Sequence, residues 1–167
     1  IQGQLEHLQQ LEAELDQHLQ TLVEEDAEFR QTRQTLMTPK GVGAQTAATL
    51  LAHLPELGTL TRGAIAAIAG LAPHPQDSGN WRGKRRIYGG RAAVRKALYM
   101  AAKTAARWCP VISVFYQRLR AQGKAYNVAL IACARKMLIH LNTLVKQLND
   151  RRQKNPGNPT PATAQTT

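Results

Sequence analysis

Residues 125–148 read AYNVALIACARKMLIHLNTLVKQL, and this stretch decides the fold. Val128, Leu130, Ile131, Met137, Leu138, Leu141, Leu144 and Leu148 follow a helical rather than a strand period and cover much of the circumference. A helix apolar over so much of its surface is a buried one, so these residues are expected to form the centre of an all-α domain. Working back from it, residues 112–122 predict a short helix after the break at Pro110, and residues 91–108 an Ala-rich one. On the latter, Arg91, Arg95, Tyr99, Lys103 and Arg107 form a polar stripe opposite Val94, Ala97, Leu98, Ala101 and Ala105. Residues 61–71 predict a further short helix, and no stretch carries a convincing strand pattern.

At the N-terminal end, Leu8, Leu15, Leu22, Phe29 and Leu36 share one heptad position and Leu5 and Leu19 the other. Such spacing predicts a long amphipathic helix over 1–38 that assembles a homodimer or tetramer as a coiled coil. Glu12, Asp26 and Arg33 also fall on the second seam position, which leaves open a helix lying on its own domain. Pro39 ends the helix, because it lacks an amide donor and restricts the residue before it. The tail after Asp150, RRQKNPGNPTPATAQTT, offers nothing to bury and is expected to be disordered. The organisation is therefore an acidic oligomerisation helix (1–38), a basic helical domain (39–149) and a disordered tail (150–167).

The 167 residues carry a net charge of +11, unevenly divided. Residues 1–38 hold eight carboxylates against Arg30 and Arg33, a net −6, whereas residues 39–167 hold 20 cations against Glu56, Asp77 and Asp150, a net +17. A field of that sign points to a polyanion. A membrane surface is the weaker candidate, since no basic stretch has the broad Trp/Phe/Leu face of an interfacial helix. Cys109 and Cys133 are isolated and show no zinc or disulfide spacing, which fits a reducing compartment. No signal peptide is evident, and the chain does not begin with Met, as expected of a fragment of something longer.

The candidate chemistry lies in residues 72–102, APHPQDSGNWRGKRRIYGGRAAVRKALYMAA. Ser78, one of two serines in the chain, precedes Arg82, Lys84, Arg85, Arg86, Arg91, Arg95 and Lys96, with Trp81, Tyr88 and four glycines interleaved. Cations neutralise phosphates, aromatic faces stack on bases, and glycines let the backbone come close. A serine hydroxyl here could attack a phosphodiester, with Arg82, Lys84, Arg85 and Arg86 stabilising the developing charge. Asp-Ser-Gly is equally ordinary turn chemistry, and Tyr88 is a rival nucleophile. A second phosphate-binding candidate is PKGVG at residues 39–43, a glycine hairpin feeding a small-residue helix, similar to a helix-hairpin-helix motif; a plain helix connection is its alternative. The nucleic-acid set is thus Lys40, Gly41, Gly43, Trp81, Arg82, Lys84, Arg85, Arg86, Gly89, Gly90, Arg91 and Arg95. The carboxylates and His53, His74 and His140 are scattered, so no metal site is assigned.

The PKGVG hairpin, the run GLAPHPQDSGNWRGKRRIYGGRAAVRKALYMAA and the long helical close together resemble the C-terminal transposase domain of the Piv-like insertion-sequence recombinases, over about residues 36–148. That family pairs a RuvC-like DEDD domain with a serine domain and, in several members, is guided by a bridge RNA. The resemblance implies that Ser78 is the nucleophile for DNA strand cleavage and transfer, and that Gly89, Gly90 and Arg91 shape its loop. It also implies DNA and a structured guide RNA as partners, Mg2+ supplied by a DEDD domain that these residues do not contain, and action at the nucleoid in the bacterial cytoplasm. A phosphoseryl intermediate would conserve the ester bond for rejoining. From a different class, a non-catalytic helix-hairpin-helix module that grips DNA or RNA also accounts for the charge. An oligomerisation scaffold accounts for the heptads alone.

Overall fold

The computed structural model describes Leu11 and residues 27–73, 77–78, 81–82 and 89–154. Along them run α1 (Ala27–Met37), α2 (Ala44–His53), α3 (Arg62–Ile68), two-residue strands β1 (Asp77–Ser78) and β2 (Trp81–Arg82), then α4 (Ala92–Trp108), α5 (Pro110–Ala121) and α6 (Tyr126–Lys154). The all-helical class expected from the sequence is the observed one, with one small hairpin added. At 1.5 Å per residue, α6 is roughly 44 Å long.

As its apolar circumference requires, α6 is the axis on which α1, α3, α4 and α5 pack. Its buried positions, among them Leu130, Met137, Leu138, Leu141 and Val145, face several helices rather than one. By length and composition α6 could cross a membrane, but here that apolar surface is the core of the fold. Against it lies α4, whose buried residues are Val94, Leu98, Ala101, Ala102 and Ala105: four of the five predicted, with Ala102 fully buried in place of half-buried Ala97. Alanines at three of these five positions let the helix axes approach closely. Pro110 opens α5 at its first turn, where a missing amide donor costs nothing, so the helix starts two residues earlier than the sequence suggested.

Leu36 bears on the two alternatives left open for residues 1–38, and the end of the last helix differs from the expected tail. Leu36, placed on the heptad stripe, is fully buried in the core of its own domain, while Phe29 one heptad earlier is 47% exposed. The other seam residues, Leu5, Leu8, Leu15, Leu19 and Leu22, lie outside the described residues. The last helix also runs beyond Asp150, to Lys154. Arg152 explains why: its Nη2 donates to the Glu28 carbonyl (2.7 Å), Gln31 Oε1 (3.0 Å) and Thr32 Oγ1 (3.2 Å), and its Nε donates to Gln31 Oε1 (3.1 Å). The expected tail thus begins as helix because α1 supplies polar partners that tail composition does not reveal. Residues 155–167 lie outside the described set.

Candidate functional site

The stretch containing Ser78 connects the end of α3 to the start of α4. Thr61 caps α3, its hydroxyl accepting from the Ala64 amide (3.3 Å). At the other end Gly70, with φ +68°, reverses the chain, its amide bonding to the Ala67 carbonyl (2.9 Å) and that of Leu71 to the Ala66 carbonyl (2.8 Å). This is the Schellman arrangement, and its positive φ favours glycine. The returning strand passes Gly89 and Gly90, with φ +67° and +68°. A side-chain carbon on Gly90 would collide with the backbone of Gly70 and the Ile68 carbonyl. The two ends of the loop therefore touch backbone to backbone, which glycine at both points permits.

Three polar ties close this neck. The Arg91 amide donates to the Ile68 carbonyl (2.9 Å). Arg95 Nη1 donates to the Gly89 carbonyl (2.6 Å). Arg91 makes a two-pronged ion pair with Glu56, Nη1 to Oε2 at 2.5 Å and Nη2 to Oε1 at 2.6 Å. The Arg91 hydrogen bonds hold the Glu56 carboxyl at about 2, well below the usual carboxylate range, so it is ionised at any physiological pH. In the same way Glu56 raises the Arg91 pKa.

Between the ends of the neck, β1 and β2 pair antiparallel with Asp77 opposite Arg82 and Ser78 opposite Trp81. Gly79 and Asn80 lie between the paired residues in sequence. The side chains of Ser78, Trp81 and Arg82, and all of Lys84, Arg85, Arg86 and Tyr88, lie outside the described residues. The structure thus places the backbone of Ser78 on a hairpin within a loop closed by Gly70, Gly89, Gly90, Arg91 and Arg95. Of the cations assigned to nucleic acid, Arg91 and Arg95 are engaged by Glu56 and the Gly89 carbonyl.

The PKGVG segment is a separate feature. The Val42 amide donates to the Pro39 carbonyl (3.2 Å), turning the chain between α1 and α2, which pack on each other. Gly41 has φ +105°, and a side-chain carbon there would lie 2.7 Å from the Ala105 side chain of α4. Its small size therefore serves helix packing. Gly43 stands in open space as the N-cap of α2 with no side-chain cap, and Lys40 is exposed beside it. Gly41, Val42, Gly43 and Thr46 form one wall of a shallow groove, facing Met100 and Thr104 of α4.

Sequence reasoning passed over Glu56, Gly70, Asn142 and Arg152. Asn142 is the one buried polar residue of the described core. Its Oδ1 accepts from the Gly58 amide (2.8 Å) and its Nδ2 donates to the Leu60 carbonyl (2.9 Å), fastening the turn that carries Glu56 to the central helix. The available signal for Glu56 was its isolation, as one of three carboxylates in a strongly basic domain. Among the described residues, no three His, Cys, Asp or Glu side chains converge on a possible metal position. The remaining tyrosines pack: Tyr116 and Tyr126 meet edge to face at 6.3 Å, and the Tyr99 hydroxyl donates to Asn127 Oδ1 (2.9 Å).

Comparison with known proteins gives this geometry a context. Residues 33–117 match the model of the transposase IS116/IS110/IS902 family, a span running from α1 into α5 that includes the whole loop. The chain is 33% identical over 109 residues to an uncharacterized 43.6 kDa protein of insertion element IS110 from Streptomyces coelicolor, covering 64% of this chain and 27% of that protein. It is 36% identical over 101 residues to a 42 kDa protein of insertion element IS900 from Mycobacterium paratuberculosis, covering 59% and 24%. A 44.8 kDa protein of insertion element IS116 from Streptomyces clavuligerus is 32% identical over 126 residues, covering 74% and 31%. The chain spans about a quarter to a third of the length of these relatives.

Proposed function

This chain belongs to the IS116/IS110/IS902 family of transposases, and from that premise we propose that it is the domain supplying the serine nucleophile for DNA strand cleavage and transfer. The observation that carries the reading is the hairpin of β1 and β2, which holds Ser78 opposite Trp81 on a loop closed at a glycine neck and followed in sequence by four cations. Ser78 Oγ attacks a phosphodiester phosphorus and gives up its proton as the Oγ–P bond forms, and the bond to one deoxyribose oxygen breaks, that oxygen taking up a proton. Attack by another strand's hydroxyl on the phosphoserine reverses these changes, releasing Ser78 and joining the strands without ATP. Arg82, Lys84, Arg85 and Arg86 stabilise the charge on the transferring phosphoryl group. Because the described carboxylates do not converge, a Mg2+ contribution belongs to acidic residues outside these, in a composite site with a DEDD domain. A structured RNA as guide, self-assembly through residues 1–38 and action at the nucleoid complete the proposal.

The test uses the full-length transposase. Ser78→Ala should abolish strand cleavage and the covalent protein–DNA adduct seen on a denaturing gel, with DNA binding retained. An adduct that persists in Ser78→Ala, or that maps to Tyr88, ends the assignment. A second reading, a non-catalytic helix-hairpin-helix grip, is favoured by the uncapped start of α2 beside exposed Lys40. It requires DNA binding to weaken in Lys40→Ala and cleavage to be indifferent to Ser78.

A further inference from the structure

We infer that Glu56 is a positioning residue for the Ser78 loop, acting through Arg91 to set the geometry of the neck from which that loop springs. The inference rests on the proposed role of Ser78 and adds a residue to it. An exposed ion pair between two mobile side chains is worth little. This one differs because both partners are anchored at their backbones. Arg91 is the residue immediately before α4, and its amide is bonded to the Ile68 carbonyl at the end of α3. Glu56 sits in the turn after α2, where its carbonyl accepts from the Thr59 amide (3.1 Å) and the Thr59 hydroxyl (2.7 Å). The same turn is tied by Gly58 and Leu60 to Asn142, in the middle of α6.

A chain of contacts therefore runs from the central helix through Asn142, the Gly58 turn, Glu56 and Arg91 to the crossing of Gly70 with Gly90. The fork of Arg91 on the carboxylate fixes direction as well as distance, since two parallel N–H···O bonds define a plane. Without it the start of α4 keeps the Ile68 and Gly89 ties but loses its connection to the Glu56 turn. A nucleophile misplaced by about 1 Å loses on the order of a hundredfold in rate, so a small rotation of the neck is read out at Ser78. The low pKa of Glu56 agrees with the geometry: the carboxylate stays ionised and the fork intact at every pH where the transposase is assayed.

The experiment compares Glu56→Gln, Arg91→Lys and the exchanged pair Glu56→Arg with Arg91→Glu in the full-length transposase, each checked for helical content by circular dichroism. Gln offers one acceptor instead of two, and Lys keeps the charge while losing the fork. Both single variants should lower the cleavage rate at saturating DNA by about 10- to 100-fold, the scale of a 1 Å misplacement, and in Glu56→Gln, which lies outside the nucleic-acid set, the DNA Kd should stay within about threefold of wild type. The exchanged pair should recover most of the rate. Trypsin cleavage within residues 82–86, followed in a Ser78→Ala background, should accelerate several-fold in Glu56→Gln and return towards wild type in the exchanged pair. This second measurement makes no use of the serine's chemistry. Wild-type cleavage at saturating DNA in either single variant, or an unaltered trypsin rate in Glu56→Gln, overturns the inference. An adduct that forms without Ser78 overturns the proposed function instead, and the trypsin rates then still decide whether Glu56 holds the neck.

Discussion

Gly89 and Gly90 are adjacent, share φ +67° and +68°, and differ in one respect: among the described residues a side-chain carbon on Gly89 meets nothing within 4 Å, whereas on Gly90 it meets the Gly70 backbone. Substituting each by alanine therefore separates backbone conformation from close approach. In Gly89→Ala the left-handed conformation costs about 1–2 kcal/mol, partly offset by about 0.5 kcal/mol of reduced freedom in the unfolded chain. The expected loss is near 1 kcal/mol. Gly90→Ala carries the same term and must also push the two strands apart, adding about 1–3 kcal/mol of overpacking. Separation also strains the Arg91 to Ile68 hydrogen bond, worth about 1 kcal/mol. The sum is about 3–5 kcal/mol, which at roughly 3 °C per kcal/mol lowers the melting temperature by about 9–15 °C, against about 3 °C for Gly89→Ala. Gly70→Ala should resemble Gly90→Ala, because its added carbon meets the Gly89 carbonyl and the Arg95 guanidinium. Thermal and urea unfolding followed by circular dichroism at 222 nm give these values directly. Equal losses at positions 89 and 90 would refute the backbone-to-backbone crossing.

Asn142→Ala should destabilise by about 2–4 kcal/mol in urea titrations, because the Gly58 amide and the Leu60 carbonyl both lose a partner in a buried setting. It should also loosen the Glu56 turn, visible as faster amide exchange at Gly58. Burial pushes the Cys133 thiol up to about 11 from an ordinary 9, with Lys136 opposing, so at pH 8 a thiol reagent should modify half-buried Cys109 first and reach Cys133 at the rate of unfolding. The sign follows from linkage: the folded state holds this proton more tightly than the unfolded one, so the contribution is complete below pH 9 and is lost as pH rises towards 11. Two thiols reacting at one fast rate at pH 8 would contradict the buried placement.

How much of this was legible depends on whether a residue's partner lies nearby in sequence. The buried helix around Leu138, the apolar face of α4 and the stop at Pro39 follow from local period and local chemistry, and all three are present. Leu36 shows the limit of such reasoning. Its heptad spacing is compatible with a seam or with a core, and what decides is the domain lying beside it. Glu56 and Arg91 are 35 residues apart and Arg152 and Gln31 are 121 apart, so no spacing rule joins them. Gly90 was legible as a backbone that comes close to something. That its neighbour is Gly70 of the same chain emerges only from the packed structure.

The same distinction bears on how residues 1–38 can act. Phe29 and Leu36 are one heptad apart and so lie within about 20° of each other around the helix. Yet Leu36 is in the core and Phe29 is half exposed. The buried core therefore stops short of Phe29, although Arg152 near the end of α6 still grips Glu28, Gln31 and Thr32. The stripe that is buried against the domain at Leu36 is thus half-exposed at Phe29, two turns earlier. On the proposed self-assembly through residues 1–38, seam and domain core would divide one heptad stripe between them, and Arg152 would stand near the point of division.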